Sequence, residues 1–159
     1  MKITIICVGK VKEKYFRDAI AEYEKRLSKY CRLEIIEVQD EKTPDNASEA
    51  MEEQIKEKEA FRILRYIKED AFVVTLEILG KKMNSVAFAN TIEKLATYGR
   101  SHIQFVIGGS LGLHSSVSAR ADEKISFSDM TFPHQLMRVI LLEQIYRGYR
   151  IISGEPYHK

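Results

Sequence analysis

The sequence predicts an α/β fold, a mostly parallel sheet with helices on both faces, in one domain spanning residues 1–159. Three observations carry that prediction. Short β-branched runs take turns along the chain with segments whose apolar residues recur every three or four positions. The first of those runs shows little apolar/polar alternation, as expected of a parallel strand covered on both faces. Gly, Pro, Asn and Asp punctuate the boundaries, and no internal repeat, low-complexity tract or linker interrupts the series.

Ile3-Thr4-Ile5-Ile6-Cys7-Val8 reads as the first strand, ended by Gly9. From Val11 to about Lys29 the residues Phe16, Ile20, Tyr23 and Leu27 fall at helical spacing, and Tyr30 continues the stripe. Leu33–Val38 is a second strand. Thr43-Pro44-Asp45-Asn46 follows as a loop in which Asn46 and Glu49 have the spacing of a capping box. A long charged helix is expected over 47–68, with Met51, Ile55, Phe61, Leu64 and Ile67 turned inward. Ala71–Leu76 is a third strand leading to Leu79-Gly80. Ser85 is a good N-cap for a helix that runs to Tyr98, where Gly99 stops it. The fourth strand is 102–107. A short segment at Ser115–Ala121 precedes a fifth strand at 124–127, and the last helix begins near Pro133 and runs to about Ile152.

A chain of 159 residues with 45% hydrophobic content can bury a core without disulfides or a structural metal. Its two cysteines, Cys7 and Cys31, have neither C-x-x-C nor zinc-site spacing, so a buried reduced Cys7 and a cytoplasmic location are expected. No signal-peptide pattern is expected at the N-terminus, and no apolar run approaches the roughly 20 residues of a bilayer span. Net charge is only +2. Its distribution is more telling: Lys10, Lys12, Lys14 and Arg17 cluster early, Arg138, Arg147, Arg150 and Lys159 late, with an acidic middle between them.

Two loops stand out. Gly108-Gly109-Ser110-Leu111-Gly112 follows the fourth strand and offers backbone amides with no Cβ in the way. It is neither a dinucleotide fingerprint nor a P-loop, lacking G-x-G-x-x-G on a first strand and lacking Gly-Lys-Ser/Thr. The turn after the fifth strand brings hydroxyls at Ser126, Ser128 and Thr131 and apolar surface at Phe127, Met130 and Phe132. Leu76 ends the third strand at the same sheet edge. An apolar pocket with a few backbone hydrogen bonds suits an adenosine-like cofactor. The centre of the last helix, Val139-Ile140-Leu141-Leu142, is apolar all round and needs two covering surfaces. The sheet is one, and a second copy of the chain is expected as the other. His102, His114, His134 and His158 form no Ser-His-Asp or metal-ligand pattern, and no glycosidase-like carboxylate pair stands out.

Several strings resemble one family. Phe105-Val106-Ile107-Gly108-Gly109, Met130-Thr131-Phe132-Pro133-His134-Gln135-Leu136, Arg138-Val139 and Glu143-Gln144-Ile145-Tyr146-Arg147 look like the bacterial large-subunit ribosomal RNA pseudouridine methyltransferase family, RlmH. Val74-Thr75-Leu76 and the closing Pro156-Tyr157-His158-Lys159 belong to the same pattern. The resemblance implies the SPOUT superfamily: a C-terminal trefoil knot, a homodimer, and S-adenosylmethionine as methyl donor. It implies pseudouridine N3 in 23S ribosomal RNA, on the assembled ribosome, as acceptor. Leu76, Gly108 and the run Phe127, Ser128, Asp129, Met130, Thr131 and Phe132 match the family's donor-binding positions; Gly109 and Gly112 join them through the loop argument.

In-line transfer from a sulfonium needs no metal. It needs close alignment of the two centres and a group that takes the N3 proton or stabilises the imide anion. Tyr157 and His158 in the tail are candidates, with Arg147 as the cation. Recognition of ribosome shape, using Lys10, Lys12, Lys14 and Arg17, is expected, because so small a net charge cannot read RNA alone. The alternative is a non-catalytic ribosome- or RNA-binding dimer that keeps the nucleotide pocket.

Overall fold

The computed structural model describes residues 1–159. Five strands, β1 (Lys2–Val8), β2 (Arg32–Val38), β3 (Phe72–Lys82), β4 (His102–Ile107) and β5 (Glu123–Ser126), form one sheet in the order β2-β1-β4-β3-β5. Every pairing is parallel. The helices are α1 (Lys14–Leu27), α2 (Glu49–Leu64), α3 (Ser85–Thr97), α4 (Ser115–Arg120) and α5 (His134–Ile152).

Period-two alternation along β1 feeds two cores. Ile3, Ile5 and Cys7 join Phe105, Phe88, Leu141 and Ile145 on one face, under α1, α3 and α5. Ile6 and Val8 join Val106, Ala60, Ile63 and Val117 on the other, under α2 and α4. Being apolar in both phases, the strand satisfies both layers at once. Cys7 and Cys31 are free thiols, and burial pushes the Cys7 thiol up to about 12, leaving it inert.

Several element ends differ from the sequence expectation. α1 begins at Lys14, with Glu13 as an N-cap that makes no side-chain cap bond. Ser48, not Asn46, caps α2 by accepting from the Met51 amide at 3.2 Å, because residues 44–47 close a turn of their own, Ala47 N donating to Pro44 O. α2 also turns Glu59, Ala60 and Ile63 inward, while Met51 and Phe61 are exposed. Asn84 takes the cap of α3 by accepting from the Ala87 amide at 2.8 Å; the Ser85 hydroxyl donates instead to Gln144 on α5 at 2.7 Å. Pro133 is the N-cap of α5 rather than a first-turn residue, and no side chain caps that end.

The largest difference is in β3, which continues past Leu76 to Lys82. Its pairing with β5 changes register between Leu76 and Lys81. Residues 77–80 bulge there. Gly80 is required because a Cβ would stand 2.7 Å from the Ile125 carbonyl carbon. β5 itself runs 123–126, one residue earlier than expected at each end.

α5 lies on α1 and α3 with Leu141, Leu142, Ile145 and Tyr146 buried, while Val139 and Ile140 remain half-exposed. Inside its first turns is Arg138, only 1% exposed. The Arg138 guanidinium donates to Glu37 at 2.6 Å and to the Gly9 carbonyl at 3.1 Å, tying α5 to the ends of β1 and β2. No helix is long and apolar enough to cross a membrane.

Candidate functional site

A cavity of about 680 Å³ opens at the carboxyl ends of β3, β4 and β5, where ligands bind in open parallel sheets. One wall is the glycine loop. A Cβ on Gly108 would meet the backbone of Gly112 at 2.9 Å, so glycine there permits the tight closure in which Gly109 and Gly112 pair and the Gly112 amide donates to Gly109 O at 3.1 Å. The opposite wall is the turn after β5. The Ser126 hydroxyl donates to Ser128 O at 3.0 Å, and the Met130 amide donates to Ser128 Oγ at 2.9 Å, so local hydrogen bonds hold the turn open to the cavity.

Of the ten residues expected at a cofactor, nine line this cavity: Leu76, Gly108, Gly109, Gly112, Phe127, Ser128, Met130, Thr131 and Phe132. Asp129 does not; its carboxylate faces outward and accepts from Lys82. The cavity also takes in Glu77, Ile78, Leu79, Leu113, His134 and Met137, which the sequence did not single out for it. Glu77 accepts from Thr75 Oγ1 at 2.6 Å and from Ser118 Oγ at 2.8 Å, so two hydroxyls fix a carboxylate on the wall. Leu79 is 98% exposed and Met130 74%, leaving an apolar rim. His134 stands where the first turn of α5 meets Gly9. Burial, then the charge of Arg138, lowers its pKa, with Asp40 opposing.

The three tail candidates gather elsewhere. Arg147 makes an ion pair with Glu143 at 2.6 Å, lies 3.1 Å from His158 Nδ1, and has its guanidinium 4.7 Å from the centre of the Tyr157 ring. The Tyr157 hydroxyl donates to Glu143 at 3.1 Å, and its phenol is pushed up to about 12 by burial and that carboxylate. Tyr30 and Arg150 hold Glu155, and Arg150 also donates to Pro156 O at 3.0 Å, so the tail is pinned. His158 lines a side cavity of about 430 Å³ with Met83, Phe88, Ile140 and Gln144. Phe127 is the wall shared by the two cavities. Arg147, Tyr157 and His158 are thus brought together, but they do not line the larger cavity of their own chain.

A family model described as "Predicted SPOUT methyltransferase" matches residues 1–158. The chain is 64% identical over 159 residues to the ribosomal RNA large subunit methyltransferase H of Bifidobacterium adolescentis, with both chains covered in full. It is 62% identical, again over the full length of both, to the protein of that name from Clostridium beijerinckii. The chain belongs to the methyltransferase H family of SPOUT proteins. Among solved structures, a probable methylase family protein from Haemophilus influenzae Rd KW20 superimposes with a TM-score of 0.55 at 11% identity. That likeness covers 99% of this chain and 70% of the other, and it shows the shared fold alone.

In this member of the methyltransferase H family the cavity wall from α5 was the least visible part in sequence. Pro133 as N-cap turns His134 and Met137, three positions apart on the first turn, toward the sheet edge. No group of three or more His, Cys, Asp or Glu side chains is arranged to hold a metal ion.

Proposed function

We propose that the chain transfers a methyl group from S-adenosylmethionine to N3 of a pseudouridine in 23S ribosomal RNA, on the assembled ribosome and in the cytoplasm. The carrying observation is the cavity between the 108–112 and 127–132 loops. Its volume of about 680 Å³ suits a nucleoside-sized ligand. Its walls combine apolar side chains with the backbone of a glycine loop that no Cβ obstructs. Leu76, Ile107 and Phe127 would enclose a flat ring, Gly108, Gly109 and Gly112 would let backbone groups approach it, and Ser128 to Phe132 would close the other side. Asp129 would serve through Lys82, fixing the turn. When bound, the donor supplies a sulfonium methyl that can be displaced in line. The names carried by the close relatives support ribosomal RNA as acceptor.

We further propose that the active form is a homodimer in which Arg147, Tyr157 and His158 of one protomer complete the donor cavity of its partner. Support comes from their separation from the cavity of their own chain, from the half-exposed Val139 and Ile140, and from the apolar rim at Ile78, Leu79 and Met130. In that role the Arg147 cation offsets charge developing on the imide, while Tyr157, a proton donor at neutral pH, hydrogen-bonds the base. The segment beyond β4 takes the trefoil-knotted path of the superfamily in the same proposal. Lys10 and Lys12 are exposed on the loop before α1, and Lys14 and Arg17 on the first turn of that helix; the Lys12 amide ties the loop to α5 by donating to Gln135 at 3.3 Å, and in this proposal the four cations contact RNA beside the cavity rim.

The test is incubation with labelled S-adenosylmethionine and ribosomes lacking the modification, followed by mass-spectrometric mapping. A single methyl on pseudouridine N3 is the expected result. Tight ribosome binding without transfer would replace the proposal with a non-catalytic RNA-binding dimer. Full activity after His158→Ala and after deletion of 155–159 would remove the tail from the site. Equal rates on naked RNA would remove ribosome-shape recognition.

A further inference from the structure

Three of the four imidazoles have partners in the folded chain. His102 meets Thr4, His114 caps α4 and faces Glu53, and His158 meets Arg147. His134 hydrogen-bonds to nothing, yet it is half-buried on the wall of the large cavity. Its Nε2 lies 3.5 Å from the position a Cβ of residue 9 would occupy, and the Asp40 side chain stands 3.9 Å from the same point. The glycine, at φ +88°, therefore leaves room for the ring, which lines the cavity, and for the Asp40 side chain beside the same point.

We propose that His134 is the proton acceptor for the imide nitrogen that receives the methyl group. The inference rests on the methyl-transfer reading above and names a base that the tail does not supply. The proton leaves N3 for an imidazole nitrogen of His134. The pair it leaves on N3 forms the bond to the methyl carbon, and the carbon–sulfur pair returns to sulfur, leaving a neutral thioether. Two opposing charges face the ring. Arg138, on the same helix and paired with Glu37 of β2, disfavours the cation beforehand; Asp40, just beyond β2, stabilises the imidazolium once formed. A neutral imidazole on the cavity wall with a carboxylate nearby to stabilise its cation is an arrangement that suits a general base. Asp40 is a positioning residue in this scheme.

The test uses the full chain, S-adenosylmethionine and ribosomes lacking the modification. Single-turnover rates are followed from pH 5 to 9 for wild type, His134→Asn and Asp40→Asn. Donor affinity is measured by calorimetry, and the His134 ring titration by NMR. The expected result is a rate loss of about 10²–10⁴-fold in His134→Asn with donor affinity within a few-fold of wild type. The wild-type rate should fall on the acid side with the midpoint of the His134 NMR titration. Asp40→Asn should move both midpoints together to lower pH. A His134→Asn rate within threefold of wild type, an unmoved acid limb, or a parallel loss of donor binding would overturn the assignment. Absence of transfer by the wild type would instead overturn the methyl-transfer reading, and the NMR titration would then stand only as a property of the fold.

Discussion

Replacing Arg138 by Met removes the tie between α5 and the carboxyl ends of β1 and β2. The guanidinium is 1% exposed and donates to Glu37 at 2.6 Å and to Gly9 O at 3.1 Å. Breaking a buried pair costs about 3–5 kcal/mol when the surviving charge stays buried. Here the survivor is Glu37, whose side chain keeps 39% of its exposure, so water recovers part of the loss. The orphaned Gly9 carbonyl adds about 1 kcal/mol, and Met fills much of the volume. The balance is about 3 kcal/mol. With a urea slope of about 2 kcal/mol/M for a domain of this size, the midpoint should fall by about 1.5 M. The reverse change, Glu37→Gln, strands a fully buried cation. The double variant should therefore be less destabilised than the two single changes summed, by about 0.5–3 kcal/mol. A midpoint within about 0.3 M of wild type for Arg138→Met, or strict additivity, would refute the view that this pair clamps the base of the site.

Gly108→Ala places a Cβ 2.9 Å from the Gly112 backbone. The glycine loop must shift, and an overpacking cost of about 1–3 kcal/mol should appear as a roughly five- to hundredfold weaker donor affinity by calorimetry. Ile140→Asp puts a charge on the half-exposed face of α5 and should turn the proposed dimer into a folded monomer in light scattering, with methyl transfer lost; an unchanged mass would remove α5 from that interface. Glu59 carries the pH signature. Burial raises its pKa, so the folded chain holds that proton to higher pH than the unfolded one. Stability contributed there falls as pH climbs from about 4.3 through the folded value. Glu59→Gln should consequently raise the urea midpoint at pH 7 and leave it unchanged at pH 4; a loss at pH 7 would reverse the sign of the argument.

What was readable in sequence was set by burial symmetry. β1 and β4 are covered on both faces, so their apolar runs announce them within a residue. The far half of β3 is not, because after Leu76 the strand pairs only with β5 and exposes Ile78 and Leu79. No periodicity marks such a segment. α2 misled for a related reason: its inward face uses Ala60, Ile63 and a hydrogen-bonded Glu59, while Phe61 and Met51 stand in solvent. The cap of α3 fell to Asn84 because Ser85, equally competent locally, is claimed by Gln144 from 59 positions away. The site followed the same rule. Loop backbones and their flanking apolar residues were legible, whereas the outward turn of Asp129 depends on Lys82 and the inward turn of His134 on the start of α5. Tertiary partners decide those.

The overhang of β3 has an energetic consequence. Residues 72–75 pair with β4 and sit in both cores, so their amides should exchange with solvent only on global unfolding. Residues 77–80 are joined to neither β4 nor, across the register change, to β5. Within that stretch, Ile78 and Leu79, exposed on one lip of the cavity between the anchored Glu77 and Gly80, should open locally while the sheet stays folded. Their amides should exchange by local opening, at rates insensitive to mutations such as Arg138→Met that lower global stability. The lip would then respond to an incoming ligand without drawing on the stability of the rest of the molecule.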